Sequence, residues 1–209
     1  MRRRLIVVIV VCDLLVLLAV GAVLVARAHQ RQAASADPAG ATAPAPTSPQ
    51  FTLHDVQGRL VTQDTFRGRC ELVYFGYSFC PDICPTELGF QARLLKALGA
   101  DADRVVTLFI TIDPQRDTPA HLAQYVALFD PRIIGLTGSP AQVHAAASAF
   151  GAWYQRATQA PGTPAMAPGQ YLIDHTSSTY LVDPAGRLVG TIDSQGRMDD
   201  ALQAVRSCR

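Results

Sequence analysis

Apolar and polar residues are distributed along this chain in three regimes. Residues 5–26 are almost wholly aliphatic, long enough to cross a bilayer as a helix. Residues 29–50 are rich in Ala, Pro, Ser and Thr with scarcely a large apolar side chain, which cannot form a core and should behave as a semi-extended tether. From Phe51 onward, short apolar runs alternate with turn residues and with longer stretches of helical spacing. The resulting partition is an N-terminal membrane anchor over 1–28, a flexible linker over 29–50 and one folded domain over 51–209.

Within the domain, Phe51 to Val61 alternates around Gln57-Gly58 and predicts a short hairpin. Leu72 to Tyr77 reads as a buried strand. Pro85-Thr86-Glu87, followed by Leu88, Leu94, Leu95 and Leu98, reads as a helix start and its apolar face. Val105 to Ile112 is an apolar, β-branched strand. In the turn Asp113 to Pro119, Asp117 or Thr118 serves as N-cap, Pro119 takes the first helical position, and Leu122, Tyr125, Val126 and Phe129 form the buried face. Ile133 to Leu136 is a short strand, and Ser139-Pro140 repeats the cap-then-proline device for a helix that Gly151 ends. Residues 157–170 read as a mobile loop. Ser178 to Val182 and Leu188 to Ile192 flank the hairpin signal Asp183-Pro184-Ala185-Gly186, and Met198 to Ser207 is the last helix. This order predicts an α/β sheet covered on both faces. It matches a thioredoxin-like fold with an extra N-terminal hairpin, preceded by one transmembrane helix.

The formal charge of +1 and the scatter of basic residues leave no phosphate-tracking stripe, which sets nucleic acid aside as a partner. The only basic cluster is Arg2-Arg3-Arg4. It places the N-terminus in the cytoplasm and the domain across the membrane. Asp13 inside the span costs on the order of 3 kcal/mol, which a run this aliphatic absorbs. A cleaved signal peptide is the competing view, because Ala26-Arg27-Ala28 resembles a cleavage site, but the apolar core exceeds the roughly 7–15 residues usual there. Without an Arg/Ser-rich presequence, a bacterial cytoplasmic (inner) membrane is favoured over a mitochondrial one: a single pass, with the C-terminal domain in the periplasm.

Candidate chemistry centres on Cys80-Pro81-Asp82-Ile83-Cys84-Pro85. The two thiols straddle a strand-to-helix turn, where exposed backbone N–H groups and the positive helix end favour thiolate, the form that acts as nucleophile and as metal ligand. A thioredoxin-like sheet brings His175 to face this turn, where thioredoxins carry a cis-proline. Two sulfurs and one imidazole without an obvious fourth ligand suit three-coordinate Cu(I) and can hold Cu(II), whereas structural zinc wants four closed ligands. The plain alternatives are a structural disulfide and a satisfied polar histidine. Met166 is a thioether in the loop that reads as filler, Cys12 is a small apolar filler within the span, and His54, His121 and His144 look like surface or helix-face residues with nothing paired to them.

Residues 74–86, from Tyr74-Phe75-Gly76-Tyr77 through Cys80 and Cys84 to Thr86, resemble the Sco/SenC family of membrane-anchored copper proteins. So do Asp113-Pro114-Gln115-Arg116-Asp117-Thr118-Pro119, Asp174-His175-Thr176 and Tyr180-Leu181-Val182-Asp183, all in the family's order. The resemblance implies copper held by Cys80, Cys84 and His175, with Cys80 and Cys84 also able to form a redox-active disulfide. It implies a metallochaperone, not a turnover enzyme, that helps build the dinuclear copper centre of cytochrome c oxidase subunit II by delivering copper, by reducing that subunit's cysteines, or both. Other copper chaperones and thioredoxin-like reductants are implied partners. A thiol-disulfide oxidoreductase or thiol peroxidase on the same fold is the alternative. The family's proximity of the 113–119 block to the site gives Asp113 a role in orienting ligands. Two departures stand out: Thr176 replaces an expected serine, and Cys70 and Cys208 lie outside the pattern, either pairing as a structural disulfide that pins the C-terminus or remaining separate thiols.

Overall fold

The computed structural model describes residues 48–158, 167 and 169–208. The expected anchor and most of the expected linker lie outside the described residues, as do Cys12, Asp13 and Met166; among the described residues no helix is long and apolar enough to cross a membrane.

The strands are β1 (Thr52–Asp55), β2 (Leu60–Thr62), β3 (Cys70–Gly76), β4 (Val105–Thr111), β5 (Ile133–Thr137), β6 (Tyr154–Arg156), β7 (Ile173–His175), β8 (Thr179–Val182) and β9 (Leu188–Ile192). The helices are α1 (Ile83–Leu98), α2 (Pro119–Ala127), α3 (Pro140–Phe150) and α4 (Met198–Ser207), and a 3-10 turn over Gly99–Arg104 follows α1. Seven strands form one sheet in the order β2-β1-β5-β4-β3-β8-β9. Its centre, β3-β4-β5, is parallel; β8 and β9 add antiparallel on one side, and the β1–β2 hairpin pairs antiparallel with β5 on the other. Every residue of β3 is buried, as a strand covered on both faces requires. Successive residues point to opposite faces. Tyr74 packs with Phe109, which meets Tyr125 of α2, while Phe75 meets Phe150 of α3 and Tyr180.

Helix starts follow their capping chemistry. Thr118 accepts a hydrogen bond from the His121 backbone N–H ahead of Pro119, Ser139 and Gln142 form a reciprocal capping box, and Gly151 closes α3 in the left-handed region. α1 begins at Ile83, two residues before the start read from Pro85, and its cap residue Asp82 makes no side-chain cap bond. Cys84 therefore sits in the first helical turn, with only Cys80 in the turn before it.

The sequence pattern also missed β6 and β7. Among the described residues these three-residue strands pair only with each other, Tyr154 opposite His175 and Arg156 opposite Ile173, and form a separate two-stranded sheet. They flank a segment, residues 157–170, that is only partly described.

Candidate metal centre

β3 ends at Gly76, and the chain turns so that the Tyr77 carbonyl accepts the Cys80 N–H at 3.2 Å. α1 then brings the Cys84 backbone N–H to 3.4 Å from Cys80 Sγ. Cys84 is fully buried, and its sulfur occupies space that Gly76 leaves open: a Cβ at residue 76 would lie 2.9 Å from that sulfur and equally close to the Tyr74 and Phe109 rings. The Tyr74 hydroxyl donates to Cys84 Sγ at 3.7 Å. His175 closes the group from β7, with Nε2 3.4 Å from Cys84 Sγ. Its Nδ1 lies 2.8 Å from the Thr176 carbonyl, and since a carbonyl only accepts, Nδ1 carries the hydrogen and the Nε2 lone pair faces the sulfurs. One ligand atom from each of Cys80, Cys84 and His175 lies within 4.8 Å of the others.

The two thiols are electrostatically unequal. Cys80 is lowered to about 3, chiefly because Cys84 donates a hydrogen bond to its thiolate; burial opposes this, while the backbone N–H groups of Asp82 and Cys84 assist. Cys84 is pushed well above the ordinary thiol range by burial and by the neighbouring Cys80 charge. These directions favour the thiolate at Cys80 and the protonated thiol at Cys84, and both cysteines are buried and free.

Around the pair, the block at 113–119 does more than cap a helix. Asp117, fully buried, accepts from Thr111 Oγ1 at 2.6 Å, from the Ser78 backbone at 3.1 Å and from the Ser78 hydroxyl, anchoring the strand end that leads into Cys80. The Ser78 hydroxyl in turn faces His121 Nε2 at 2.8 Å, and the His121 ring stacks on Phe79. His121 is therefore paired, contrary to expectation. Asp113 makes no hydrogen bond to the Cys80, Cys84 or His175 side chains among the described residues. It accepts from the Tyr171 hydroxyl at 2.6 Å and from Arg116 Nε, and so acts on the segment that leads to His175.

Cys70 and Cys208 are bonded to each other, with Cα atoms 6.1 Å apart. Cys70 opens β3 and the cysteine turn follows its far end, so about 20 Å of strand separates this bridge from the Cys80 region. Thr176 keeps the hydroxyl expected of serine, accepting the Trp153 backbone N–H at 3.0 Å and so extending the β6–β7 ladder. Sequence reasoning took Asp117 for a helix cap and overlooked Gly76 and the Tyr77 hydroxyl. A signal existed for Tyr77, because a phenol within a buried run needs a hydrogen-bond partner.

Comparison with known proteins gives a consistent picture. The SCO1/SenC family model matches residues 39–208. The SCO2-like protein of Rickettsia felis is 38% identical over 137 residues, 66% of this chain and 64% of that protein, so the match spans just under two thirds of the relative's length. Bradyrhizobium japonicum ScoI, solved with copper bound, superposes with a TM-score of 0.69 at 34% identity, covering 78% of this chain and 99% of that one. Yeast Sco1, also solved with copper bound, gives a TM-score of 0.65 at 36% identity, covering 78% of this chain and 90% of that one. With its thioredoxin-like sheet and its clustered cysteines and histidine, the chain belongs to the SCO1/SenC family.

Proposed function

We propose that this protein binds copper through Cys80, Cys84 and His175 and passes it to the dinuclear copper centre of cytochrome c oxidase subunit II or to another copper acceptor. The observation that carries this is the convergence of those three donor atoms, from a turn, a helix and a separate ribbon, within 4.8 Å. The donor chemistry fits. Two sulfurs favour Cu(I), the imidazole also serves Cu(II), and the cluster supplies three donors where a closed structural zinc site takes four. When bound, copper takes Nε2 as its nitrogen ligand, because Nδ1 is committed to the Thr176 carbonyl.

The unequal thiols support a second role at the same place. Cys80 as thiolate is set to attack a disulfide, and the adjacent Cys84 thiol to resolve the mixed disulfide, so the pair could hand two electrons to an acceptor's oxidised cysteines. This would be an accessory thiol-disulfide activity, and the site would then alternate between copper-loaded dithiol and disulfide. In the cell, we place the domain on the periplasmic side of a bacterial inner membrane, held by the apolar segment at residues 5–26 and the linker after it.

The test is transfer. Copper-loaded full chain is mixed with a reduced, copper-free dinuclear-copper domain of subunit II, and the acceptor's absorption is followed. Metal should move to the acceptor from the wild type and not from Cys80→Ser or Cys84→Ser; a loaded wild type that leaves the acceptor empty would contradict delivery.

A further inference from the structure

His175 stands on an element that the main sheet does not hold. Among the described residues β6 and β7 pair only with each other, while the two sulfurs ride on the end of β3 and the start of α1. The distance from imidazole to sulfurs is therefore set by whatever ties the ribbon to those elements. Besides the Cys84–His175 contact, three hydrogen bonds among the described residues hold the ribbon, one from the end of β3 and two, through Tyr171, from the turn that follows β4. The Tyr77 hydroxyl accepts the Ile173 backbone N–H at 3.0 Å, the Tyr171 hydroxyl donates to Asp113 at 2.6 Å, and Arg116 Nη1 donates to the Tyr171 carbonyl at 2.9 Å. Arg116 also lies 3.5 Å over the Tyr171 ring centre, and its charge is matched by Asp113. Tyr77 touches both halves of the site, since its carbonyl holds the Cys80 N–H and its ring meets the His175 ring edge-on at 5.9 Å.

We infer that Tyr77 and the Arg116–Tyr171 pair are positioning residues for His175, fixing the β6–β7 ribbon against the cysteine turn and thereby setting how firmly the imidazole holds a bound metal. The inference rests on the three-ligand copper reading. Its reach is selective. Cu(I) is satisfied largely by the thiolates, so loosening the ribbon should spare Cu(I) and weaken Cu(II), for which the imidazole matters more. Losses on removing such outer partners run to roughly 10–100-fold in metal affinity.

Tyr77→Phe and Tyr171→Phe keep the rings and remove only the hydroxyls, so they test this in the full chain. In the copper-free protein, amide hydrogen exchange should rise about tenfold or more at residues 173–176 in Tyr77→Phe, with β3, β4 and α1 unchanged. Loaded with Cu(II), both variants should release the metal at least about tenfold faster, with a shifted Cu(II) spectrum, while Cu(I) retention stays at the wild-type level. Wild-type exchange and wild-type Cu(II) release in both variants would overturn the inference. So would faster exchange spread evenly over β3 and β4, which would mean general destabilisation. A His175→Ala chain that holds Cu(II) as well as the wild type is a separate result: it overturns the three-ligand reading itself, whatever the tyrosine variants do.

Discussion

At the scale of single residues, four positions separate Cys80 from Cys84, yet their surroundings assign them opposite protonation states. Cys80 receives hydrogen bonds from Cys84 and the first turn of α1, whereas Cys84 lies beneath it among Tyr74, Phe109 and Gly76. Only the thiolate is nucleophilic. With Cys80 lowered to about 3, it is ionised throughout the range between about pH 5 and about pH 8, so its alkylation by iodoacetamide in the reduced, copper-free chain should be nearly independent of pH there. An ordinary cysteine would instead react about tenfold faster per pH unit below its pKa, and that slope at Cys80 would contradict the assignment. Gly76 provides a second test at this scale. Gly76→Ala places a methyl against the Cys84 sulfur and two aromatic rings, which should cost about 1–3 kcal/mol in a urea melt and weaken copper binding together. The thiols and the histidine were legible from residue type and order alone. The glycine was not, because nothing local to residue 76 announces a sulfur arriving from residue 84.

Among the elements, the strands and helices that obey strong periodicity and capping rules were readable in advance: the largely apolar β3 and β4, and the cap-then-proline starts of α2 and α3. The β6–β7 ribbon was not, since three residues are too few to show alternation and the partners lie on either side of an Ala/Pro/Gly segment. That is the element that carries His175. Asp117 was hidden for a different reason: with Thr118 beside it, both read as caps, and only the fold shows that one caps α2 while the other anchors Ser78.

β3 carries a further element-scale consequence. Glu71, buried in that central strand between Val106 and Val182, is raised by burial to about 7, with Arg67 and Arg69 opposing. The unfolded chain releases this proton near the usual 4.5, so between the two values the folded state binds more protons. The stability from this group is complete below the lower value and is lost as pH rises through about 7. Glu71→Gln should therefore raise the urea midpoint at about pH 8 more than at about pH 5; an equal shift at both would exclude this origin. The Cys70–Cys208 bridge ties α4 to the opposite end of β3 from the site. Cys208→Ser should cost roughly 2–5 kcal/mol of stability and leave copper affinity unchanged.

Taken whole, the molecule divides its labour along β3. One end is covalently fastened to the C-terminal helix by a disulfide closing a 138-residue separation. The other presents two sulfurs to a ribbon that brings the third donor. A thioredoxin-like sheet carries the two sulfurs, and hydrogen bonds to Tyr77 and Asp113 and from Arg116 fasten the segment that carries the imidazole. Such a division suits the copper carrier proposed above. The general architecture follows from the order of elements along the sequence. How the imidazole is mounted depends on pairings between residues about a hundred positions apart, which no local pattern encodes.

The central claim is that copper is held jointly by Cys80, Cys84 and His175. The most direct measurement is a Cu(II) titration of the reduced full chain, read by thiolate-to-metal charge-transfer absorption, beside Cys80→Ser, Cys84→Ser and His175→Ala. The account predicts about one copper per chain in the wild type, loss of the charge-transfer band in either serine variant, and much weaker Cu(II) retention without loss of fold in His175→Ala. Wild-type Cu(II) binding in His175→Ala, or in either cysteine variant, would contradict it.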